Sequence, residues 1–240
     1  TLSLIESMKP DFIVVAAYGK ILPERALKAA SIDCLNVHAS CLPKYRGAAP
    51  TNWALINGEK ETGVSIMEVV WQLDAGPVYC GAKVKIEDDD TTGSLAKRLA
   101  KAGAELLIRA IPKIAAGEII PKPQDDSQAT MAPSLKKEDG KIDWTNKAMS
   151  IHNRIRGVNP WPGAHTFVDN KLLKIYHDQV LAESPKESPG TVYFLNEKGI
   201  YVACGEGAVL LTEVQLEGKK RMTAAEFVRG YRLEIGKKFG

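Results

Sequence analysis

The chain has 240 residues, 45% of them hydrophobic and 25% charged, with a formal net charge of +3. This is an ordinary globular composition, which excludes a disordered or low-complexity chain and leaves room for two domains. No apolar run approaches the roughly eighteen residues that span a bilayer and no basic-then-apolar leader opens the chain, so a cytoplasmic protein without membrane contact is expected.

Leu2 to Met8 reads as the tail of a helix that stops at Lys9-Pro10-Asp11. Phe12 to Ala17 is a continuous apolar run of β-favouring residues, the pattern of a parallel strand buried on both faces. Tyr18-Gly19-Lys20 turns, and Pro23 opens a helix to about Ala30. A strand from Ile32 to Val37, ending at His38, follows, and the alternation of strand and helix predicts an open α/β sheet. Pro50 to Asn57 is a short helix, proline suiting its first turn. Gly63 to Val70 is a strand, and after Leu73-Asp74-Ala75-Gly76-Pro77 a partly alternating strand, Val78 to Ile86, lies nearer an edge. Asp88-Asp89-Asp90-Thr91-Thr92 caps a helix running to about Ala116, and a cap is a far commoner use of such aspartates than a metal site. The four cysteines, Cys34, Cys41, Cys80 and Cys204, have neither zinc nor disulfide spacing, so free thiols and no metal are expected.

Pro121 to Gln128 carries two prolines and few apolar side chains, which marks residues 121–134 as a linker between a first domain, 1–120, and a second, 135–240. In the second, a helix from about Asn146 to Arg156 precedes short β-like runs at Ala164 to Val168, Leu172 to Leu181, Gly190 to Leu195, Ile200 to Ala203 and Val209 to Leu216. Their even spacing predicts a small barrel. Thr223-Ala224-Ala225-Glu226 is a capping box that opens a last helix.

Chemistry concentrates between Asn36 and Pro50. Residues two apart on a strand share a face, so Asn36 and His38 project side by side. An amide N–H and a protonated imidazole can together hold an oxygen that gains negative charge when a carbonyl is attacked. Asp74, in a sharp turn, is the candidate carboxylate to support the imidazole. In an open parallel sheet, turns at the carboxyl ends of strands gather round one crevice, so the three are expected to converge. Taken alone, His38 fits a core histidine better than a catalytic one, and Asp74 fits the cap of its own turn. His152, His165 and His177 have no such company.

Asn36-Val37-His38, Ser40-Cys41-Leu42-Pro43, Arg46-Gly47-Ala48-Ala49-Pro50, Glu61-Thr62-Gly63-Val64-Ser65-Ile66-Met67, Leu73-Asp74-Ala75-Gly76, Lys141-Ile142-Asp143-Trp144, Asn159-Pro160-Trp161-Pro162 and Gly218-Lys219-Lys220-Arg221-Met222 occur in this order. In this series the chain resembles the methionyl-tRNA formyltransferase family over nearly its whole length. The resemblance implies an open parallel, Rossmann-like formyltransferase domain followed by an OB-like β-barrel that binds tRNA. It also implies structure preceding Thr1, so that the sequence reads as an N-terminally truncated copy. By the same resemblance the activity is transfer of a formyl group from 10-formyltetrahydrofolate to the α-amino group of initiator methionyl-tRNA by a monomer. Asn36, His38 and Asp74 are then catalytic, and Tyr18, Gly19, Ile21, Leu22, Ser40, Cys41, Leu42 and Pro43 contact the folate. Cys41 stands where the family has leucine, and Trp71-Gln72 where it has small or acidic residues, which implies a differently packed loop before Asp74.

Residues 131–240 hold 17 basic and 13 acidic side chains, about +4, against about −1 for the rest. Arg46, Arg154, Lys219, Lys220 and Arg221 are the candidate tRNA contacts, although charge alone fits a solvated surface as well. An amino-sugar formyltransferase, a formyltetrahydrofolate hydrolase and a non-catalytic RNA-binding protein are the competing readings.

Overall fold

The computed structural model describes residues 2–20 and 22–240. The chain forms two compact units, one comprising residues 1–54, 59–88 and 94–134, the other 55–58, 89–93 and 135–240.

The first unit holds helices α1 (Leu2–Met8) and α2 (Glu24–Leu27), strands β1 (Phe12–Val15) and β2 (Asp33–His38), helix α3 (Pro50–Ile56), strands β3 (Glu61–Glu68) and β4 (Val78–Lys85), and the long helix α4 (Thr92–Ala115). The sheet order is β1-β2-β3-β4. Only β1 and β2 run parallel; β3 lies antiparallel to β2, and β4 antiparallel to β3. The expected parallel sheet is therefore a mixed one. Six successive residues of β3, Thr62 to Met67, are buried, because the strand sits inside the sheet with both faces covered. A central antiparallel strand and a parallel one share that apolar signature. β1, expected to be buried on both faces, is an edge strand whose Val14 is 41% exposed.

Buried residues of α4 recur at Leu95, Leu99, Gly103, Ala110 and Ile114, a stripe at helical spacing that faces the sheet. Ala110 and Ile114 pack with Leu35 and Ile66 of β2 and β3 in one apolar cluster. Leu35 lies between Cys34 and Asn36, so the strand that carries the candidate site is anchored from beneath. Burial raises the thiols of Cys34, to about 11, and Cys204, to about 12, and all four cysteines are free.

The second unit contains α5 (Ala148–Gly157), β5 (Ala164–Val168), β6 (Lys171–Leu181), β7 (Val192–Asn196), β8 (Gly199–Ala203), β9 (Ala208–Leu216), the short β10 (Met222–Thr223) and α6 (Ala224–Tyr231). The sheet path is β5-β6-β9-β8-β7, with β10 beside β9. The expected barrel is not shown: the sheet is open, since no ladder joins β5 to β7 among the described residues. Instead the chain end runs against both edges: Val192 N donates to Lys237 O, Gly236 N to Val192 O and Phe239 N to Gly190 O on the β7 side, while Gly240 N donates to Phe167 O of β5. Strand spacing in sequence reports strand length and turn length, and does not report closure. The capping box forms as expected, Thr223 accepting from Glu226 N while the Glu226 carboxylate accepts from Thr223 N.

Candidate active site

Asn36 and His38 occupy alternate positions on β2, opposite Met67 and Ser65 of β3. His38 is 5% exposed. Its Nε2 lies 2.9 Å from the backbone carbonyl of Tyr45. A carbonyl only accepts, so Nε2 carries a proton and Nδ1 is the ring atom left for other work. Nδ1 sits 3.6 Å from Asp74 Oδ2, within ion-pair range though beyond a direct hydrogen bond. The other carboxylate oxygen, Oδ1, accepts from Asn36 Nδ2 at 3.2 Å, and Oδ2 accepts from the Gly47 N–H at 2.9 Å. One carboxylate thus joins the two neighbouring side chains of β2 and a backbone donor.

The convergence arises differently from the expected route. With β3 antiparallel to β2, the turn that bears Asp74 leaves the sheet beside the start of β2, where Val69 N bonds Cys34 O. It then loops back before Val78 rejoins the ladder opposite Met67. Gly76 permits this return, since a Cβ there would lie 2.0 Å from Glu68 O. Asp74 itself has φ of +49° and Tyr45 φ of +60°. Both residues that face the imidazole thus hold left-handed backbone, a cost that folded proteins concentrate at functional sites.

Sequence reasoning missed three participants. Tyr45 acts through its carbonyl, Gly47 through its N–H, and Gln124 through an amide that donates to Asp74 O at 2.9 Å and Gly76 O at 2.7 Å. Within the segment read as a linker, Lys122 pairs with Val78, and Met131 with Arg46.

The other predicted residues separate. Tyr18 and Gly19 are exposed and Leu22 is half-buried, in the turn after β1; Ile21 lies outside the described residues. Ser40 is fully buried and donates to Lys44 O at 2.6 Å, so its hydroxyl turns inward, whereas Cys41, Leu42 and Pro43 are half-buried. A cavity of about 310 Å³ is lined by Leu42, Pro43, Gln124 and neighbours, with Asn36, His38 and Asp74 not among its walls. Arg46 is 8% exposed, its guanidinium taken up by Gln124 and Asp126 rather than offered outward. In the second unit Arg154 lies half-buried on α5, near Asp139 O. Arg221 makes two 2.6 Å bonds to the Glu213 carboxylate and lies 4.1 Å over the Tyr176 ring. The bonded guanidinium holds Glu213 below the usual carboxylate range. Lys219 and Lys220 are exposed in the turn after β9.

Among the described residues no group of three or more His, Cys, Asp or Glu side chains is placed to hold a metal ion, and no helix is long and apolar enough to cross a membrane.

Comparison with known proteins bears on this geometry. Residues 1–111 match the family described as formyl transferase, and residues 134–232 match the formyl transferase C-terminal domain. The methionyl-tRNA formyltransferase of Citrifermentans bemidjiense is 47% identical over 232 residues, covering 97% of this chain and 72% of the relative. In fold the chain is similar to HypX from Aquifex aeolicus, crystallised with tetrahydrofolic acid, at a TM-score of 0.72 and 20% identity over 99% of this chain and 42% of HypX. It is also similar to WlaRD, a sugar 3N-formyl transferase solved with dTDP and 5-N-formyl-THF, at 0.68 and 19% over 90% of this chain and 77% of WlaRD. With both halves matched and such identity sustained along nearly all its length, the chain belongs to the methionyl-tRNA formyltransferase family, enzymes that transfer a formyl group.

Proposed function

We propose that this enzyme moves the formyl group of 10-formyltetrahydrofolate to the α-amino group of methionine esterified to initiator tRNA. The observation that carries the reading is the single carboxylate, Asp74, that bonds Asn36 and stands 3.6 Å from His38. The name of the 47% identical relative supports the acceptor, and the folates bound to HypX and WlaRD support the donor.

The folate supplies an electrophilic formyl carbon. An α-amino group titrates near pH ~7.7–8.0 in model peptides, so part of it is neutral and nucleophilic without help from a covalent enzyme intermediate. Asn36 gives one amide hydrogen to Asp74 and keeps the second for the oxygen that gains charge as the amine attacks. His38, its Nε2–H committed to Tyr45, presents a protonated Nδ1 to the same oxygen with the Asp74 carboxylate beside it. Asp74 then helps to pass the proton of the amine, directly or through a water, toward the departing folate nitrogen.

Tyr18, Gly19 and Leu22 fit a folate contact because their turn is open: a Cβ on Gly19 would meet nothing within 4 Å. Cys41, Leu42 and Pro43 complete it from the other loop, and a hollow of about 310 Å³ adjoins the last two. On this reading residues 1–120 carry the chemistry in the cytoplasm, residues 121–134 connect, and residues 135–240 form an OB-like module that holds tRNA through Lys219 and Lys220, with Arg154 and Arg221 as further contacts. Replacing Lys219 and Lys220 by alanine is expected to weaken tRNA binding and lower its salt slope by about 1 per lysine, as lost phosphate contacts do. Arg221→Ala is expected to change the slope less, because Glu213 already neutralises that guanidinium. An unchanged slope in the double lysine variant removes this turn from the RNA surface.

The acceptor is tested by supplying 10-formyltetrahydrofolate with charged initiator tRNA, with a nucleotide-linked amino sugar, and with water alone. Formylation of the tRNA is expected. A formylated sugar, bare hydrolysis, or tRNA binding without transfer replaces the proposal with the corresponding rival.

A further inference from the structure

Gln124 belongs to a proline-rich segment, yet every hydrogen-bonding position of its amide is used. Nε2 donates to the carbonyls of Asp74 and Gly76, and Oε1 accepts from Nε and Nη2 of Arg46 at 3.0 and 2.8 Å. Two carbonyls face one end of the amide and two N–H groups the other, so only one orientation fits and a carboxylate cannot replace it. Arg46 is itself held, with Nη2 at 2.7 Å from Asp126 Oδ1, and the next residue, Gly47, donates its N–H to Asp74 Oδ2. The Arg46–Gly47 strap and Gln124 therefore grip the Asp74 turn twice, once at its backbone and once at its carboxylate. A left-handed residue without glycine's freedom persists only where its surroundings over-determine it, and Asp74 at φ +49° is such a residue.

We infer that Gln124, locked by Arg46, is a positioning residue for formyl transfer, holding the Asp74 carboxylate within ion-pair range of His38. The inference rests on the catalytic roles proposed for His38 and Asp74. Gln124 touches no reacting atom and acts through Asp74 alone.

The test compares kcat and KM, with 10-formyltetrahydrofolate and charged initiator tRNA, for the full-length protein carrying Gln124→Ala, Gln124→Glu, Asp74→Ala, or Gln124→Ala with Asp74→Ala. Gln124→Ala is expected to lower kcat about 10- to 100-fold, the scale of a small misplacement at a reacting centre, with both KM values near wild type. Gln124→Glu keeps the size of the side chain but sets an anion against two carbonyls, and is expected to lose at least as much, with the thermal midpoint measured beside kcat to separate misplacement from unfolding. On the Asp74→Ala background the Gln124 change is expected to cost nothing further, since a residue acting through another shows no independent effect. Losses that multiply in the double variant, or wild-type kcat in both Gln124 variants while Asp74→Ala is impaired, overturn this inference alone. Wild-type kcat in Asp74→Ala overturns the catalytic assignment and this inference with it.

Discussion

Replacing Asp74 by alanine is expected to lower kcat for formyl transfer by about 10²–10⁴-fold, the range for loss of a group that supports proton transfer in a transition state. The expectation is large because one side chain serves three partners: it orients the Asn36 amide at 3.2 Å, accepts the Gly47 N–H at 2.9 Å and flanks the His38 ring at 3.6 Å. Asp74→Asn separates shape from charge. It keeps a carbonyl oxygen for one donor but loses the anion beside Nδ1, and is expected to fall between wild type and alanine. Some loss of stability accompanies both, since a buried N–H left without its acceptor costs about 1–3 kcal/mol. Denaturant unfolding and tRNA binding, measured beside kcat, tell the two effects apart. A kcat that falls only in proportion to the folded fraction contradicts the catalytic role.

The second large effect concerns what lies beneath the site. Leu35→Ala is expected to cost about 2–5 kcal/mol of folding stability, the range for deleting a buried leucine side chain and leaving a cavity. Leu35 has no exposed surface, and it packs with Ile66, Ala110 and Ile114 where α4 crosses the sheet. No compensating collapse is open to it, because β2 is fixed by ladders on both sides, to β1 and to β3. Since Asn36 is the next residue, the same substitution loosens the strand that presents the amide. A midpoint in denaturant within error of wild type shows that the leucine is not the packed anchor described here.

The two-residue spacing of Asn36 and His38 was legible because a strand fixes which side chains share a face. The strands and helices themselves also followed from periodicity, most with ends displaced by a residue or two. The direction of β3 was not legible. A strand buried on both faces is apolar throughout whichever way it runs, so the run from Gly63 to Val70 fitted the expected parallel sheet as well as the observed antiparallel pairing. The route of Asp74 to the site was misread for that reason, even though its meeting with His38 was foreseen. Tyr45 and Gly47 contribute backbone groups, which every residue type carries and which no side-chain pattern reveals. Gln124 meets Arg46 across 78 positions of sequence, and its own neighbourhood of prolines and polar residues describes a connector. Closure of the second sheet depends on where two distant edges lie, information absent from strand spacing.

The most direct measurement is the single-turnover rate of formyl transfer from 10-formyltetrahydrofolate to charged initiator tRNA by the His38→Ala protein, with tRNA affinity measured on the same preparation. Loss of an oxyanion donor predicts a rate lower by about 10²–10³-fold at unchanged affinity. A rate equal to wild type, or one that falls only as far as the affinity does, contradicts the assignment of the Asn36, His38 and Asp74 cluster as the centre that carries the reaction.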